Sequence, residues 1–222
     1  MATKLLILGK GDNIITMILD NLYSHNTRQP DIHIYNNLNL PILNTFEHDG
    51  FNISILDDVN MSIFDNVNMD KYTMLTLGVY QPTHKKKIVE TLNPDIEKFI
   101  NIIHDGLDIS NTSKLGRGVL INSKVSIAAH TTIGDFVSIN RHVSIGHHIN
   151  IGDYCSINPG VNIAGNVTIG EGTTIGMGTN ILHTVKIGKN TIIGAGSVVT
   201  KDIPDNVIAY GSPCKVIRGL GD

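Results

Sequence analysis

The sequence predicts an α/β unit followed by a parallel β-solenoid, and periodic features predict the solenoid. An aliphatic side chain recurs at every sixth position from Ile109 to Ile193, and a small or β-branched residue usually lies two positions before it. This period fits neither a helix face nor a simple strand, but it suits a chain that runs straight briefly, turns a corner and stacks on itself. Glycine often follows the aliphatic position, as at Gly134 and Gly146, where a corner is expected to need a conformation that a Cβ would hinder.

The solenoid is predicted to be a triangular prism. Three six-residue faces complete one coil, so the run from Ile109 to Ile193 supplies roughly five coils, more than the about three repeats that a stacked core needs. The large aliphatic residues and the smaller residues before them share one thin core, and the residues between them are mostly polar. The repeat region is therefore expected to fold without inserted loops.

The first hundred residues are predicted to alternate strands and helices in a βαβ pattern. Short apolar runs that end in glycine or polar residues indicate strands, and they lie at residues 4–8, 32–35, 74–77 and 99–103. Apolar residues at helical spacing indicate helices over residues 14–22 and from about Thr83 to Leu92. Between residues 38 and 72, only the apolar run at 53–56 indicates any structure.

Glycines and polar residues follow the strands of this unit. Ligands of open parallel sheets bind beyond the carboxyl ends of the strands, where glycine-lined turns and helix N-termini offer N–H groups to phosphate. The residues predicted to line this site are Gly9, Gly11, Asp12, Asn36, Asn37 and Gly78. The dinucleotide fingerprint is incomplete, because it lacks a third glycine and an acidic residue after the second strand. An alternative interpretation is that these glycines only make tight turns.

Charge and hydropathy exclude several classes of partner. The net charge is −3 at pH 7 and no long run of one sign occurs, so neither a nucleic acid nor an anionic membrane is expected to bind. No apolar segment approaches the ~18 residues of a membrane span, and no charged start precedes an apolar stretch. We therefore expect a cytoplasmic protein with small polar ligands.

The end of the chain carries a motif that points to a known superfamily. The tail reads Val-Thr-Lys-Asp-Ile-Pro at 199–204 and Ala-Tyr-Gly-Ser-Pro-Cys-Lys-Val-Ile-Arg at 209–218. Together with the repeat, it resembles the left-handed parallel β-helix acyltransferases with hexapeptide repeats, although Cys214 stands where that superfamily usually has alanine. The resemblance implies left-handed coils and an acetyl-CoA-dependent transferase.

The order of an α/β unit followed by such a solenoid is similar to that of the nucleotide-sugar N-acetyltransferases of the bacillosamine, viosamine and perosamine pathways. The resemblance implies a Rossmann-like domain at residues 1–105 that binds the nucleotide sugar, and a β-helix domain at 106–222 that carries catalysis. It also implies a homotrimer that binds acetyl-CoA between neighbouring subunits. The acceptor would be the amine of a 4-amino-4,6-dideoxyhexose on UDP, dTDP or GDP.

The same resemblance implies the site residues. His147 matches the general base of the family, and imidazole suits removal of a proton from a sugar ammonium at neutral pH. His148 replaces the glutamate that orients the base, so another carboxylate, such as Asp153 or one from a neighbouring chain, takes that role, or the base works without it. Because His147 lies two residues after Ile145, its side chain is expected at a corner. The remaining matches are Asn140 for the substrate and Ser156, Met177 and Ala195 for acetyl-CoA.

Other functions fit parts of the sequence. His142 and His147 have a spacing found in left-handed β-helix carbonic anhydrases, where three histidines hold zinc, and His130 or His183 would complete that set. A non-catalytic β-helix scaffold is another alternative, but it leaves the first hundred residues without a role. For His147 itself, the alternative to a base is a solvated corner histidine. The acetyltransferase function is expected to need no metal.

Overall fold

The computed structural model describes residues 4–9, 12–24, 30–36, 53–57 and 69–221. Its N-terminal unit contains four strands and two helices, which are β1 (Lys4–Leu8), α1 (Asp12–Ser24), β2 (Asp31–Asn36), β3 (Ile53–Asp57), β4 (Met74–Leu77) and α2 (Pro82–Leu92). Short 3₁₀ turns lie at Met69–Lys71 and Ile96–Lys98. No helix within the described ranges is long and apolar enough to cross a membrane.

The four strands form one parallel sheet in the order β3-β2-β1-β4. β1 is central, and its residues Leu5, Leu6 and Ile7 are fully buried because both faces of the sheet are covered there. The strands predicted at 4–8, 32–35 and 74–77 are confirmed, and the second predicted helix is found as α2. That the unit is a Rossmann-like domain stays a prediction, because two helices fall within the part of it that is described.

The predicted solenoid is confirmed as a left-handed parallel β-helix of about 6 turns. Each coil gives a two-residue strand to each of three faces. Face 1 contains β5 (Ile102–Ile103), β8 (Leu120–Ile121), β11 (Ser138–Ile139), β14 (Ser156–Ile157), β17 (Thr174–Ile175) and β20 (Ile192–Ile193). Face 2 contains β6 (Asp108–Ile109), β9 (Ser126–Ile127), β12 (Ser144–Ile145), β15 (Asn162–Ile163), β18 (Asn180–Ile181) and β21 (Val198–Val199). Face 3 contains β7 (Lys114–Leu115), β10 (Thr132–Ile133), β13 (Asn150–Ile151), β16 (Thr168–Ile169) and β19 (Lys186–Ile187).

The solenoid is longer than the roughly five coils counted from the repeat. It begins with β5, which pairs with β8 and precedes Ile109, the first residue of the six-residue repeat. The run predicted as one strand at 99–103 is instead divided, because Phe99 forms an isolated bridge with Leu75 of the N-terminal sheet. The chain therefore passes from one unit to the other within a few residues, and the division at residue 105 stays a prediction.

The interior of the prism is a thin apolar core. The aliphatic residues of successive coils, such as Ile139 and Ile157, stack on each other in strand register and are fully buried. Threonines at the smaller core positions donate hydrogen bonds from their hydroxyls to carbonyls of the next coil. Thr131 Oγ1 donates to the carbonyl of Gly146 at 2.9 Å, and Thr173 Oγ1 donates to that of Gly188 at 2.7 Å. Threonine can therefore replace valine in this core without leaving a buried hydroxyl unpaired.

The structure gives a different reason from the predicted one for the glycines that follow the aliphatic positions. Their φ is not positive; the left-handed residue comes two positions later, as at Phe136 and His148. A Cβ on Gly134 would instead lie 2.8 Å from the backbone nitrogen of Asp153 in the next coil. The expectation of a special corner conformation at these glycines was wrong, because the close approach of stacked coils is what requires them.

The N-terminal unit packs on face 1. The outward-pointing residues of that face, Leu120, Ser138 and Ser156, are buried, whereas the equivalent residues of the other faces, such as Ser144 and Thr132, are exposed. Asn21 of α1 donates from Nδ2 to the carbonyl of Ile121 at 3.1 Å, and further contacts come from α2. The N-terminal unit therefore covers face 1 along the coils that contain Leu120, Ser138 and Ser156.

A two-stranded tail closes the carboxyl end of the solenoid. β22 (Val207–Gly211) pairs in parallel with β20, and β23 (Cys214–Gly219) turns back antiparallel to β22. Ile203 forms a bridge with Ile187 of β19, so the tail also meets face 3. The motif at 199–204 and 209–218 thus forms the last hydrogen-bonded layer of the stack.

Candidate active site

The histidine corner lies between faces 2 and 3. His147 and His148 occupy the turn from β12 to β13, and both side chains are exposed, as the position of His147 after Ile145 predicted. Hydrogen bonds to neighbouring coils hold the backbone of this turn, since Asn166 N donates to His147 O at 2.9 Å and His148 N to Ala129 O at 3.0 Å. Both imidazoles therefore project from a rigid scaffold.

The two imidazoles contact each other directly. Nδ1 of His147 lies 3.0 Å from Nδ1 of His148, and the rings are nearly perpendicular, at 88°. One Nδ1 must carry a hydrogen and the other must accept it, because two lone pairs would repel. If His147 donates, its Nε2 is left with a lone pair, which is the state that a general base requires.

Within one chain, the group that lies against Nδ1 of His147 is thus a second imidazole. Asp153, the carboxylate considered from the sequence, lies at the corner between faces 3 and 1 and accepts a hydrogen bond from the backbone nitrogen of Asp135 at 2.8 Å. That expectation for Asp153 is corrected. His130, one coil earlier, adds a third ring, whose centroid is 4.9 Å from that of His148.

A glycine lies beneath the ring of His147. A Cβ built on Gly165 would come within 2.6 Å of Cε1 and 2.7 Å of Nε2 of His147, so the imidazole lies directly over the backbone of the next coil. Gly165 belongs to no motif of the sequence. The signal that finds it is the coil length: Gly165 occupies the position of His147 in the next coil, since β12 and β15 pair in register.

Two of the glycines predicted to bind the nucleotide come together in the N-terminal sheet. Gly78 follows β4 and donates from its nitrogen to Leu8 O at 2.8 Å, beside Gly9, whose φ is 94°. A Cβ on Gly78 would clash with Gly9 O and lie 2.7 Å from Ile7 Cγ2. Close approach of the strand ends thus explains the glycine at 78.

The other predicted nucleotide contacts are only partly described. Asp12 is the first residue of α1 and Asn36 is the last of β2, so both lie at the carboxyl edge of the sheet with Gly9. Gly11 and Asn37 lie outside the described residues. The roles of these residues stay predictions.

Asn140 and Ser156 lie near the contact between the two units. Asn140 follows β11, and its Oδ1 accepts from Arg141 N at 2.8 Å. Ser156 is fully buried, and its hydroxyl donates to Tyr80 O at 2.6 Å and accepts from Lys85 Nζ at 3.1 Å. The Ser156 hydroxyl is thus engaged inside the protein, whereas the sequence had assigned this residue to acetyl-CoA.

Lys85 of α2 is the strongest feature that sequence reasoning missed. Its side chain is fully buried, and Nζ donates to the carbonyls of Phe136 at 3.0 Å and Cys155 at 3.1 Å as well as to Ser156. Burial lowers the pKa of Lys85 to about 7, although the three oxygens favour its charged form. The signal was its place three residues before Ile88, on the apolar side of a helix whose other lysines are exposed.

Met177 and Ala195 form a column at a third location, the corner between faces 1 and 2. They occupy equivalent places in successive coils, and both are exposed, Met177 by 59%. Gly196 N donates to Met177 O at 2.8 Å, which ties the two coils together. Within one chain, face 2 separates this column from the histidine corner.

The histidines do not form a metal centre in the described part of the chain. No group of three or more His, Cys, Asp or Glu side chains there could hold a metal ion. His142 also lies at the corner between faces 1 and 2, whereas His147 lies at the next corner. The alternative of a zinc-dependent carbonic anhydrase is not supported.

Comparisons with known proteins agree with this architecture. Residues 148–182 and 166–201 match the family described as bacterial transferase hexapeptide (six repeats). A segment of 26 residues, 12% of this chain, is 65% identical to a galactoside O-acetyltransferase of Lactococcus lactis subsp. lactis (strain IL1403). The match spans only 13% of the length of that enzyme.

Solved structures resemble the chain over nearly its whole length. PerB from Caulobacter crescentus, solved with CoA and GDP-perosamine, is 24% identical with a TM-score of 0.79, covering 98% of this chain and 99% of PerB. The acetyltransferase domain of PglB from Neisseria gonorrhoeae FA1090, solved with acetyl coenzyme A, is 21% identical with a TM-score of 0.78, covering 98% and 100%. The resemblance seen in the sequence is confirmed: the solenoid carries the hexapeptide repeat of bacterial transferases, and nearly the whole chain shares the fold of these sugar acetyltransferases.

Proposed function

We propose that the protein transfers the acetyl group of acetyl-CoA to the amine of a nucleotide-linked amino sugar. The observation that carries this proposal is the exposed imidazole pair of His147 and His148, held on a hexapeptide β-helix that has an α/β unit packed beside it. Proteins of the same overall fold have been solved with CoA and GDP-perosamine or with acetyl coenzyme A, which supports the choice of both substrates.

His147 acts as the general base. A sugar amine is mostly protonated at neutral pH and must lose a proton before it can attack. Nε2 of His147 accepts that proton while its Nδ1 hydrogen is donated to His148, 3.0 Å away. The amine nitrogen then bonds to the thioester carbon, the C–S bond breaks, and the CoA thiolate takes up the proton that the nitrogen loses as the amide forms. His147 returns the proton of the ammonium to solvent. A backbone N–H of the solenoid stabilises the oxyanion, and no acyl-enzyme forms.

The N-terminal unit is proposed to be a Rossmann-like domain over residues 1–105 that holds the nucleotide sugar, with the β-helix domain at 106–222. Its contacts would come from the carboxyl edge of the sheet, where Gly9, Gly11, Asp12, Asn36, Asn37 and Gly78 fall in sequence. Asn140 would meet the sugar. The acceptor is proposed to be a 4-amino-4,6-dideoxyhexose on UDP, dTDP or GDP, and the reaction to take place in the cytoplasm.

The placement of the two units supports a homotrimer. The N-terminal unit covers face 1, and the corner of His147 lies between faces 2 and 3, on the opposite side of the prism. A sugar held by the N-terminal unit therefore reaches the base of another protomer more readily than its own. A closed threefold ring would repeat this contact at three sites, with Met177 and Ala195 lining the acetyl-CoA groove between subunits.

The test is an acetyl-transfer assay on a panel of nucleotide-linked 4-amino sugars. The purified protein is mixed with acetyl-CoA and each acceptor; free thiol is followed with a chromogenic disulfide and products are identified by mass spectrometry. We expect one acceptor to gain a single acetyl group, with a rate that a metal chelator leaves unchanged. The scaffold alternative predicts no thiol release above background with any acceptor.

A further inference from the structure

Gly165 lies against the exposed ring of His147. Its φ lies outside the left-handed region, so an alanine there would not strain the backbone. The three heavy atoms nearest to a Cβ at this position are Cε1, Nε2 and Nδ1 of His147, at 2.6, 2.7 and 3.2 Å. The obstacle to a side chain at 165 is therefore the imidazole itself.

Several other glycines in the stack face backbone atoms. A Cβ on Gly152 would lie 2.6 Å from Glu171 N, and one on Gly170 would lie 2.6 Å from Lys189 N. Neither neighbour can move without shifting a whole coil. An imidazole at an exposed corner can rotate, so a side chain at 165 would leave the coils in place and displace the ring.

The affected ring atoms are those that the reaction needs. Nδ1 of His147 is occupied by His148, so Nε2 is the nitrogen left to accept the proton of the amine. A Cβ at 165 would press on Nε2 and Cε1 and turn the ring away from both His148 and the approaching amine. A displacement of about 1 Å at a reacting atom can lower a rate about 100-fold.

We infer that Gly165 is a positioning residue for His147, because its missing side chain lets the imidazole lie on the next coil with Nδ1 on His148 and Nε2 open. This inference rests on the proposed function of His147 as the base. Gly165 acts through that base and donates no group from a side chain to the reaction.

The central experiment is Gly165→Ala. We expect kcat to fall about 10- to 100-fold, while the KM for acetyl-CoA changes less than about twofold and the melting temperature stays near that of the wild type. Gly170→Ala is the matched control: the three atoms nearest to its Cβ are all backbone, so the melting temperature should fall while the folded fraction keeps its kcat. An unchanged kcat in Gly165→Ala would overturn the inference.

A double-mutant cycle separates positioning from other effects. In a His147→Ala background there is no ring to displace, so adding Gly165→Ala should change the residual rate less than about twofold. If the second substitution lowers the residual rate by the same factor as it does in the wild type, Gly165 acts independently of His147, and the inference is wrong.

A crystal structure tests the steric role of Gly165 separately from the proposed function. In a crystal structure of Gly165→Ala, we expect the His147 ring to be rotated and its Nδ1 to have left His148, from which it is 3.0 Å in the wild-type chain. A ring that stays in place refutes the inference whatever the activity. If the wild type acetylates no amino sugar, the proposed function fails, while the ring position in the variant still decides the steric claim.

Discussion

At the scale of single residues, the distinctive feature is the direct contact between two exposed imidazoles, those of His147 and His148. A carboxylate accepts a hydrogen bond from Nδ1 of a histidine at any pH near neutrality, whereas an imidazole accepts it only while it is unprotonated. If His147 is the base as proposed, an imidazole in the place of a carboxylate adds no negative charge beside it. His130, with its ring centroid 4.9 Å from that of His148, brings a third titratable ring to the same corner.

Removal of the base tests this corner. His147→Ala should lower kcat by about 10²- to 10⁴-fold, because the amine must then lose its proton to water. Acetyl-CoA binding, measured by calorimetry, should be kept, since an exposed corner side chain contributes little to the core. His148→Ala is the control and should lower kcat much less, because water can accept from Nδ1 in its place. Near-normal turnover by His147→Ala would remove it as the base.

At the scale of elements, α2 is fixed to the solenoid by a buried ammonium. Lys85 donates to the Ser156 hydroxyl on face 1 and to the carbonyls of Phe136 and Cys155 just before its strands, and no carboxylate contacts it there in the described structure. Tyr80, just before α2, donates from its hydroxyl to Ile157 O at 2.9 Å, and burial raises its pKa. Polar groups thus set the position of the N-terminal unit, since each oxygen must face its donor.

The burial of Lys85 predicts a pH dependence of stability. Its folded pKa of about 7 lies below the ordinary 10.5, so between these values the unfolded chain binds more protons than the folded one. The free energy of unfolding should therefore rise with pH between about 7 and 10.5, and the same part of it should be lost as the pH falls back towards 7. In Lys85→Met, melting temperatures measured across the window should lack this rise. Lys86→Met is the control, because Lys86 is exposed and pairs with Glu171.

If the wild type and Lys85→Met show the same change of melting temperature with pH, the ammonium is not desolvated as described. Lys86 should affect the pH dependence in the opposite direction. Its hydrogen bond to Glu171 raises the pKa of Lys86, so the folded chain keeps that proton to a higher pH than the unfolded chain does. A general effect of alkaline pH on the protein would move all three proteins together.

At the scale of the whole molecule, the arrangement separates what the proposed reaction must bring together. The N-terminal unit lies on face 1, His147 lies at the opposite corner, and the column of Met177 and Ala195 lies at a third position. The proposed assembly would bring these parts together between protomers. Light scattering at micromolar concentration should give the mass of three chains of 24.1 kDa, and a monomer would contradict the proposed assembly.

Mixed assemblies test whether each site uses two protomers. Gly11→Trp should disable nucleotide-sugar binding and His147→Ala should disable the base, so each variant alone is nearly inactive. When the two are unfolded together and refolded at equal amounts, random trimers should recover about a quarter of wild-type activity, because each half of a site is intact with a probability of about one half. A site contained in one chain predicts no recovery.

The repeat made the solenoid predictable from sequence, because each coil can bury its aliphatic residue only against the same position in the next coil. The corner position of His147 followed from the same spacing. The contact between His147 and His148 could not be predicted in this way, because it depends on how the two rings are oriented. Lys85 was hidden among three consecutive lysines, and burial of an ammonium follows from packing between units that no local pattern encodes.

The tail gives the solenoid a defined length. A parallel stack exposes unpaired N–H and C=O groups on its final coil, and such a surface can template another chain and grow into a fibre. β22 continues face 1 by one strand, but β23 then runs antiparallel, and the bridge from Ile203 to Ile187 covers face 3. Reversal of direction leaves no parallel template on face 1 for an incoming coil. The segment that carries the acyltransferase signature therefore covers the last coil on faces 1 and 3 with hydrogen-bonded chain, where a bare parallel strand would be a template for another molecule.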